Sequence, residues 1–96
     1  MTKRFEWDPI KAVLNAHKHG VAFDEARTVF TDQLAGIGPD PGHSSKDEER
    51  ELIAGYSHQS RLLLVSFVER GEVVRIISAR LLTRYERRLY EEEKFP

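Results

Sequence analysis

The chain has no cysteine among its 96 residues. No disulfide and no thiolate metal site can form, and nothing points to an oxidising compartment. Long apolar runs are missing too. The longest spans residues 62–65, far short of the about 20 residues of a membrane helix. The opening MTKRFEWDPIK has no apolar stretch of the signal-peptide kind. A cytosolic protein without membrane contact is expected. An excess of one charge sign is also absent, with 15 Lys and Arg against 16 Asp and Glu. Near-neutrality gives no global case for nucleic-acid binding, so any such case must be local.

Apolar residues make up 40% of the chain and charged residues 32%, the balance of a soluble globular protein. A chain this short buries somewhat over ~60% of its unfolded surface, which suffices for one modest core. A single domain over residues 1–96 is expected. The charge is uneven along it. Residues 40–51 and 91–93 are mostly acidic, whereas residues 61–88 hold arginine, no lysine and few acids. The stretch RIISARLLTRYERR carries Arg75, Arg80, Arg84, Arg87 and Arg88 against Glu86 alone. Arginine's planar fork of donors suits phosphate and carboxylate groups.

FEWD (residues 5–8) alternates apolar and acidic, a short strand pattern. Asp8 before Pro9 predicts a helix start, and Gly20 predicts its stop after His19. Ile10, Val13, Leu14 and His17 recur at helical spacing and predict its buried face. A second helix is predicted with Asp24 as cap and Phe23, Ala26, Val29 and Phe30 on its apolar side. The two should pack as a hairpin. A short strand is predicted at residues 34–37, followed by a long Gly-, Pro- and Ser-rich loop. Residues 51–57, 61–69 and 72–80 read as strands, the last two forming a hairpin about Arg70-Gly71. Thr83 and Glu86 fit a capping box that opens a last helix, with Leu82, Tyr85 and Leu89 on one face. The order predicts an α+β fold: a small antiparallel sheet with helices packed mainly on one face.

These same residues resemble a known family. FEWDPIKAVLNAHKHGVAFDEA resembles the start of BrnT-type toxins of type II toxin–antitoxin systems. DEERELIAGYS, RLLLVSF, RIISAR and TRYERRLYE continue the likeness in order, over residues 5–91. Leu81-Leu82 departs from the small or basic pair expected after SAR. The resemblance implies a RelE-like microbial RNase toxin fold and a ribonuclease that arrests growth. It implies a partner antitoxin with a ribbon-helix-helix DNA-binding part, and operator binding only through that complex. It implies no cofactor.

Metal-independent RNA cleavage uses the substrate's own 2′-hydroxyl as nucleophile. The protein must move its proton and stabilise charge on phosphate. General acid–base help gives ~10²–10⁴-fold, and preorganised cations add as much or more. Arg80, at a strand end, is the leading phosphate contact; its bland alternative is an ion pair with Glu86. In a regular strand Arg75 points to the opposite face from Arg80, unless a bulge intervenes. Arg61 is expected beside Arg80, since both lie about nine positions from the hairpin turn. Two adjacent arginines suit a bound phosphate.

His17 and His19 project from different sides of a helix and cannot share a metal. His17 reads as a core histidine. His19 reads as a helix-end cap or a catalyst, with Lys18 beside it as an RNA contact. Glu49 is a candidate proton acceptor and Arg50 a candidate phosphate contact, or the two form a surface ion pair. Tyr56 stacks on a base or packs, and His43 lies in the loop as acid, base or solvated side chain. Arg84 is a candidate RNA contact on the last helix, where Arg87 and Arg88 form (i, i+4) pairs with Glu91 and Glu92. Trp7 and Phe5 read as core. Against the endoribonuclease reading stand a non-enzymatic binding module and a degenerate toxin acting only as co-repressor with its antitoxin.

Overall fold

Asp8 opens the first helix as its sequence requires. The computed structural model describes residues 3–40 and 49–93, and here the Asp8 carboxylate accepts from the Ile10 and Lys11 N–H groups at 2.8 and 3.4 Å. Helix α1 spans Pro9–His19. Gly20 ends it at φ 68°, in the left-handed region, donating its N–H to the Ala16 carbonyl at 2.9 Å.

The buried face of α1 is not the expected one. Ile10, Val13 and Leu14 are 71%, 59% and 62% exposed, and His17 is exposed as well. Asn15 is the buried residue of α1, and Ala12 packs against the core. Periodicity marks a stripe but not what lies opposite it. The place over the sheet is taken by the next segment. That segment is a short helix α2, Phe23–Ala26, running into a 3₁₀ turn at Arg27–Thr31. Val21, Phe23, Ala26 and Val29 supply its core contacts. Asp24 is not the cap. Ala22 holds that position without a side-chain bond, and Asp24 accepts from Arg27 at 2.8 Å.

Among the described residues, five strands form one sheet in the order β1-β5-β4-β3-β2. They are β1 (Arg4–Glu6), β2 (Gly36–Pro39), β3 (Glu51–Tyr56), β4 (Leu62–Arg70) and β5 (Val73–Leu81). Three of the four pairings are antiparallel, as expected. The short β1 adds a parallel pairing, with Glu6 opposite Arg75. β2 begins two residues later than predicted, because the Asp32 side chain closes a turn by accepting from the Leu34 N–H at 2.9 Å.

The β4–β5 register shifts between Ser66 and Phe67. Phe67 pairs with Ile76 and Ser66 with Ser78, so Ile77 is the extra residue. A bulge of this kind reverses side-chain parity. Val68 pairs with Arg75, and Leu64 with Arg80. Val68, Ser66 and Leu64 alternate along one face of β4, so Arg75 and Arg80 share a face after all.

The main core lies on one side of the sheet. Ile53, Leu63, Val65, Phe67, Val74, Ile76 and Ala79 meet the α2 segment there. Phe5 and Trp7 pack against this core, as expected. A smaller cluster of Ala54, Leu62, Leu64 and Leu82 occupies the other face. Helix α3, Arg84–Glu91, covers it through Tyr90. Among the described residues the helices therefore sit on both faces, α1 and α2 against α3. The capping box forms as predicted, with Thr83 Oγ1 accepting from the Glu86 N–H and Glu86 accepting from the Thr83 N–H. Its expected apolar face is wrong at Tyr85, which is 65% exposed; Tyr90 instead turns inward and donates its hydroxyl to the Leu34 carbonyl at 3.1 Å.

Candidate functional site

β1 ends at Glu6, opposite Arg75, so among the described residues the outer edge of β5 beyond that point has no strand beside it. Asn15 fills part of the gap. Its side chain accepts from the Ala79 N–H at 3.0 Å and donates to the Ala79 carbonyl at 2.8 Å. A third bond runs from Asn15 to the Val21 carbonyl at 2.9 Å. The carboxamide thus replaces a neighbouring strand and pins α1 along the β5 edge.

That docking sets Lys11, Lys18 and His19 around a shallow depression of about 200 Å³ whose floor includes Ile77 and Ser78. Ile77 and Ser78 also line a second cavity of about 290 Å³ with Arg80, Arg50, Asp40, Ser66, Leu52 and Leu64. The two hollows meet at the bulge. Five basic side chains converge on β5 from two sides: Lys11, Lys18 and His19 at its outer edge, and Arg80 with Arg50, the residue before β3, over the sheet face that crosses β4. Such convergence is the local basic footprint that near-neutral composition conceals.

Arg80 forks onto Glu86. Its two terminal nitrogens donate to the two carboxylate oxygens at 2.7 and 2.9 Å, and one also reaches the Leu81 carbonyl at 3.1 Å. The ion pair with Glu86 is therefore formed. The Arg80 bond lowers the Glu86 carboxyl to about 2, against the opposing effect of burial, with Thr83 helping. Glu86 in turn raises the Arg80 guanidinium.

Arg61 does not stand beside Arg80. The residue opposite Arg80 is Leu64. The hairpin turns at Gly71 and Glu72, and the bulge adds one more residue to β5, so the expected register slips. Arg61 instead pairs with Glu25, which is 3% exposed. Its Nε donates to Glu25 Oε2 at 3.0 Å, a second nitrogen bonds Glu25 Oε1, and the same nitrogen donates to the Gly20 carbonyl at 3.1 Å. Ser57 adds a hydroxyl bond to Glu25 at 2.6 Å. The Arg61 bond holds the Glu25 carboxyl below its usual range despite burial. Arg61 thus clamps the end of α1, next to His19.

The other candidates separate. Arg50 lines the larger cavity while Glu49 is exposed next to it. Tyr56 lies at the far end of β3, where its ring meets Tyr90 edge-on at 6.2 Å. The hollow there is rimmed by Asp32, Glu91 and Glu93, unlike the basic groove. Arg84 is exposed in the first turn of α3. His58 is bonded to Thr28 through its backbone N–H and its ring. His43 lies outside the described residues. Among the described residues, no three His, Asp or Glu side chains group closely enough to hold a metal ion. No helix among them is long and apolar enough to cross a membrane.

Sequence reasoning did not single out Lys11, Asp40 or Ser66. Ser66 had a legible signal, as a lone hydroxyl within the apolar run LLLVSFV. Asp40 is 8% exposed, although it sits in a segment that reads as an exposed loop. Lys11 needed the outward rotation of α1, which periodicity could not give.

No curated protein matches the chain. The fold is similar to that of the crystal structure of the ribonuclease toxin BrnT from Brucella abortus, with a TM-score of 0.66 and 23% identity. That likeness covers 86% of this chain and 100% of the other. Residues 7–86 match the family model for the ribonuclease toxin, BrnT, of type II toxin–antitoxin systems. With most of its length inside that match, the chain belongs to the BrnT family of ribonuclease toxins.

Proposed function

We propose that this chain is a metal-independent endoribonuclease toxin that acts in the cytosol, with the RNA backbone crossing the β5 edge at the bulge. One observation carries the reading. Ile77 and Ser78 belong to both hollows, so Lys18 and His19 at the β5 edge and Arg50 and Arg80 over the adjoining sheet face flank the same two residues. A phosphate held there meets cations from two sides. The 2′-hydroxyl attacks the adjacent phosphorus, its proton passes to the His19 imidazole, and the P–O5′ bond breaks as the 5′-oxygen takes a proton from water, giving a 2′,3′-cyclic phosphate and a 5′-hydroxyl. Arg80 and Arg50 stabilise the charge on phosphate, and Lys18 holds the flanking backbone. Arg61 positions His19 by way of Gly20. Glu49 and Arg84 extend the charged rim, and Tyr56 takes no part.

The family implies an antitoxin partner, and we propose one with a ribbon-helix-helix DNA-binding part. The outward stripe of Ile10, Val13 and Leu14 borders the groove through Leu14. Lys11 and Lys18 flank it, and α1 has no acid in its first turn. An acidic amphipathic segment of the antitoxin laid there would cover the groove and stop cleavage.

A second reading, binding or co-repression without catalysis, draws on the Arg80–Glu86 pair, which already engages the leading arginine. The deciding experiment is cleavage of a defined RNA in EDTA by the partner-free chain, with Arg80→Ala and His19→Ala alongside. Cyclic-phosphate ends from the wild type, reduced ~10²-fold or more in each folded variant, are expected. A wild type that cleaves nothing, on or off the ribosome, and leaves growth unaffected would overturn the enzyme reading for the second.

A further inference from the structure

The larger cavity has a chemistry that backbone binding does not use. Ser66 is 7% exposed, and its hydroxyl has no hydrogen-bond partner among the described residues. A buried polar group left in that condition costs stability. Ser66 lines the cavity next to Arg80 and lies opposite Ser78 across the strand pair, immediately beside the bulge. Bulges often re-aim side chains next to functional sites. A single turn about χ1 carries a serine hydroxyl between staggered positions.

The rest of the wall indicates what the hydroxyl is for. Leu52, Leu64 and Ile77 supply aliphatic surface, and the carboxylate of Asp40 is also in the wall. Arg50 and Arg80, also in this wall, suit the phosphate, whereas the aliphatic part beside Ser66 does not replace an anion's hydration. A flat, neutral ring with a polar edge fits instead. Such a ring lays its faces on the aliphatic side chains and bonds through its edge. Single-stranded RNA is read by unstacked bases laid against aromatic rings or guanidinium planes and bonded at their edges, and this wall holds two guanidinium groups, those of Arg50 and Arg80.

We propose that this cavity is a nucleobase-recognition subsite, in which Ser66 Oγ bonds the edge of the base next to the scissile phosphate. The inference rests on the reading of the β5 edge as the RNA groove. Ser66 is a specificity residue and touches no reacting atom. Its substitution alters which base is accepted, whereas Arg80 governs whether phosphate is held at all.

The test uses Ser66→Ala in the full chain. Alanine removes an unsatisfied hydroxyl, so the variant should unfold at the same or a higher urea concentration than the wild type. Two readouts are compared: the base preference at cleaved positions in a mixed-sequence RNA, and the affinities of the four nucleoside 3′-monophosphates. The expected result is one base favoured by the wild type in both, and an about tenfold loss of that preference in Ser66→Ala, the size of one hydrogen bond. Selective mononucleotide binding that Ser66→Ala abolishes would uphold the subsite even if the wild type cleaved nothing, and only the enzyme reading would then fall. Cleavage with a preference and mononucleotide affinities unchanged by Ser66→Ala would overturn the subsite and leave the enzyme reading standing. A wild type that binds all four mononucleotides equally, or none, would also overturn it.

Discussion

Asn15 holds both backbone groups of Ala79, accepting from its N–H at 3.0 Å and donating to its carbonyl at 2.8 Å. A helix side chain thereby does the work of a missing sheet strand. The pairing also fixes α1 in the rotation that turns Lys18 and His19 toward the groove.

Asn15→Ala should therefore be severe. It strands the Ala79 N–H and carbonyl and the Val21 carbonyl in a buried place, and each such group costs ~1–3 kcal/mol. Partial access of water to the strand edge reduces the sum to about 3 kcal/mol. Urea unfolding checks this. Asn15→Asp should restore the bond from the Ala79 N–H but not those to the two carbonyls, and fall between alanine and wild type. Equal stability of all three would show that the clamp is dispensable.

Glu86 makes folding depend on acid. In the folded chain its carboxyl titrates at about 2 rather than the ordinary 4.5. Between those values the unfolded chain binds more protons, so stability rises with pH through this window. The contribution is complete above about pH 5 and is lost as pH falls toward 2. Arg80's side chain is 37% exposed, so solvent screening holds the contribution to ~1 kcal/mol. Glu86→Gln keeps a capping side chain and removes the charge. Wild type should exceed this variant at pH 7 and approach it at pH 2.5 in urea unfolding. A gap independent of pH would place the contribution in the cap instead of the ion pair.

Local chemistry carried the legible part of the fold. Asp8-Pro9, Gly20 and the Thr83–Glu86 box set helix ends through bonds within a few residues, and all three formed. The β3, β4 and β5 strands read out because short apolar runs, β-branched in β5, end at short turns. Illegible features depended on distant partners. The apolar stripe of α1 faces outward because Asn15 seeks the β5 edge, 64 residues away in sequence. The bulge at Ile77 reversed the expected faces of Arg75 and Arg80, and no turn residue announces it. Arg80, Arg50, Lys18 and His19 were legible as candidates by residue type and family likeness. Their convergence was not, since it arises from the docking of α1. The expected placement of Arg61 beside Arg80 failed because Glu25, an acid with no visible reason to be buried, holds it elsewhere.

Glu25 and Arg61 should stand or fall together. Arg61→Ala leaves the Glu25 carboxylate buried without its cation, and breaking such a pair from one side costs ~3–5 kcal/mol. Arg61 is 35% exposed, so solvent reaches the site and a loss of about 2 kcal/mol is expected. Glu25→Gln with Arg61→Ala removes both charges and should recover part of it. A double-mutant cycle in urea measures the coupling. Additive losses would mean that Arg61 acts elsewhere, and its candidacy as a direct phosphate contact would revive.

Gly55 tests how closely the α2 segment and the turn after it lie against the sheet. A Cβ placed there would come within 2.8 Å of Ala35 Cβ, 3.0 Å of Asp32 Oδ2 and 3.1 Å of Val29 Cγ1. Ala35 has no far end to swing away, and Asp32 is already bonded to the Tyr56 and Leu34 N–H groups. Gly55→Ala should thus push the turn at residues 32–35 off β3, with an overpacking loss of ~1–3 kcal/mol. The strain lies on the face opposite the larger cavity. RNA cleavage per folded molecule should change little while the urea midpoint falls. Matching losses in both would show that the packing of β3 reaches through the sheet to Arg50 and the groove.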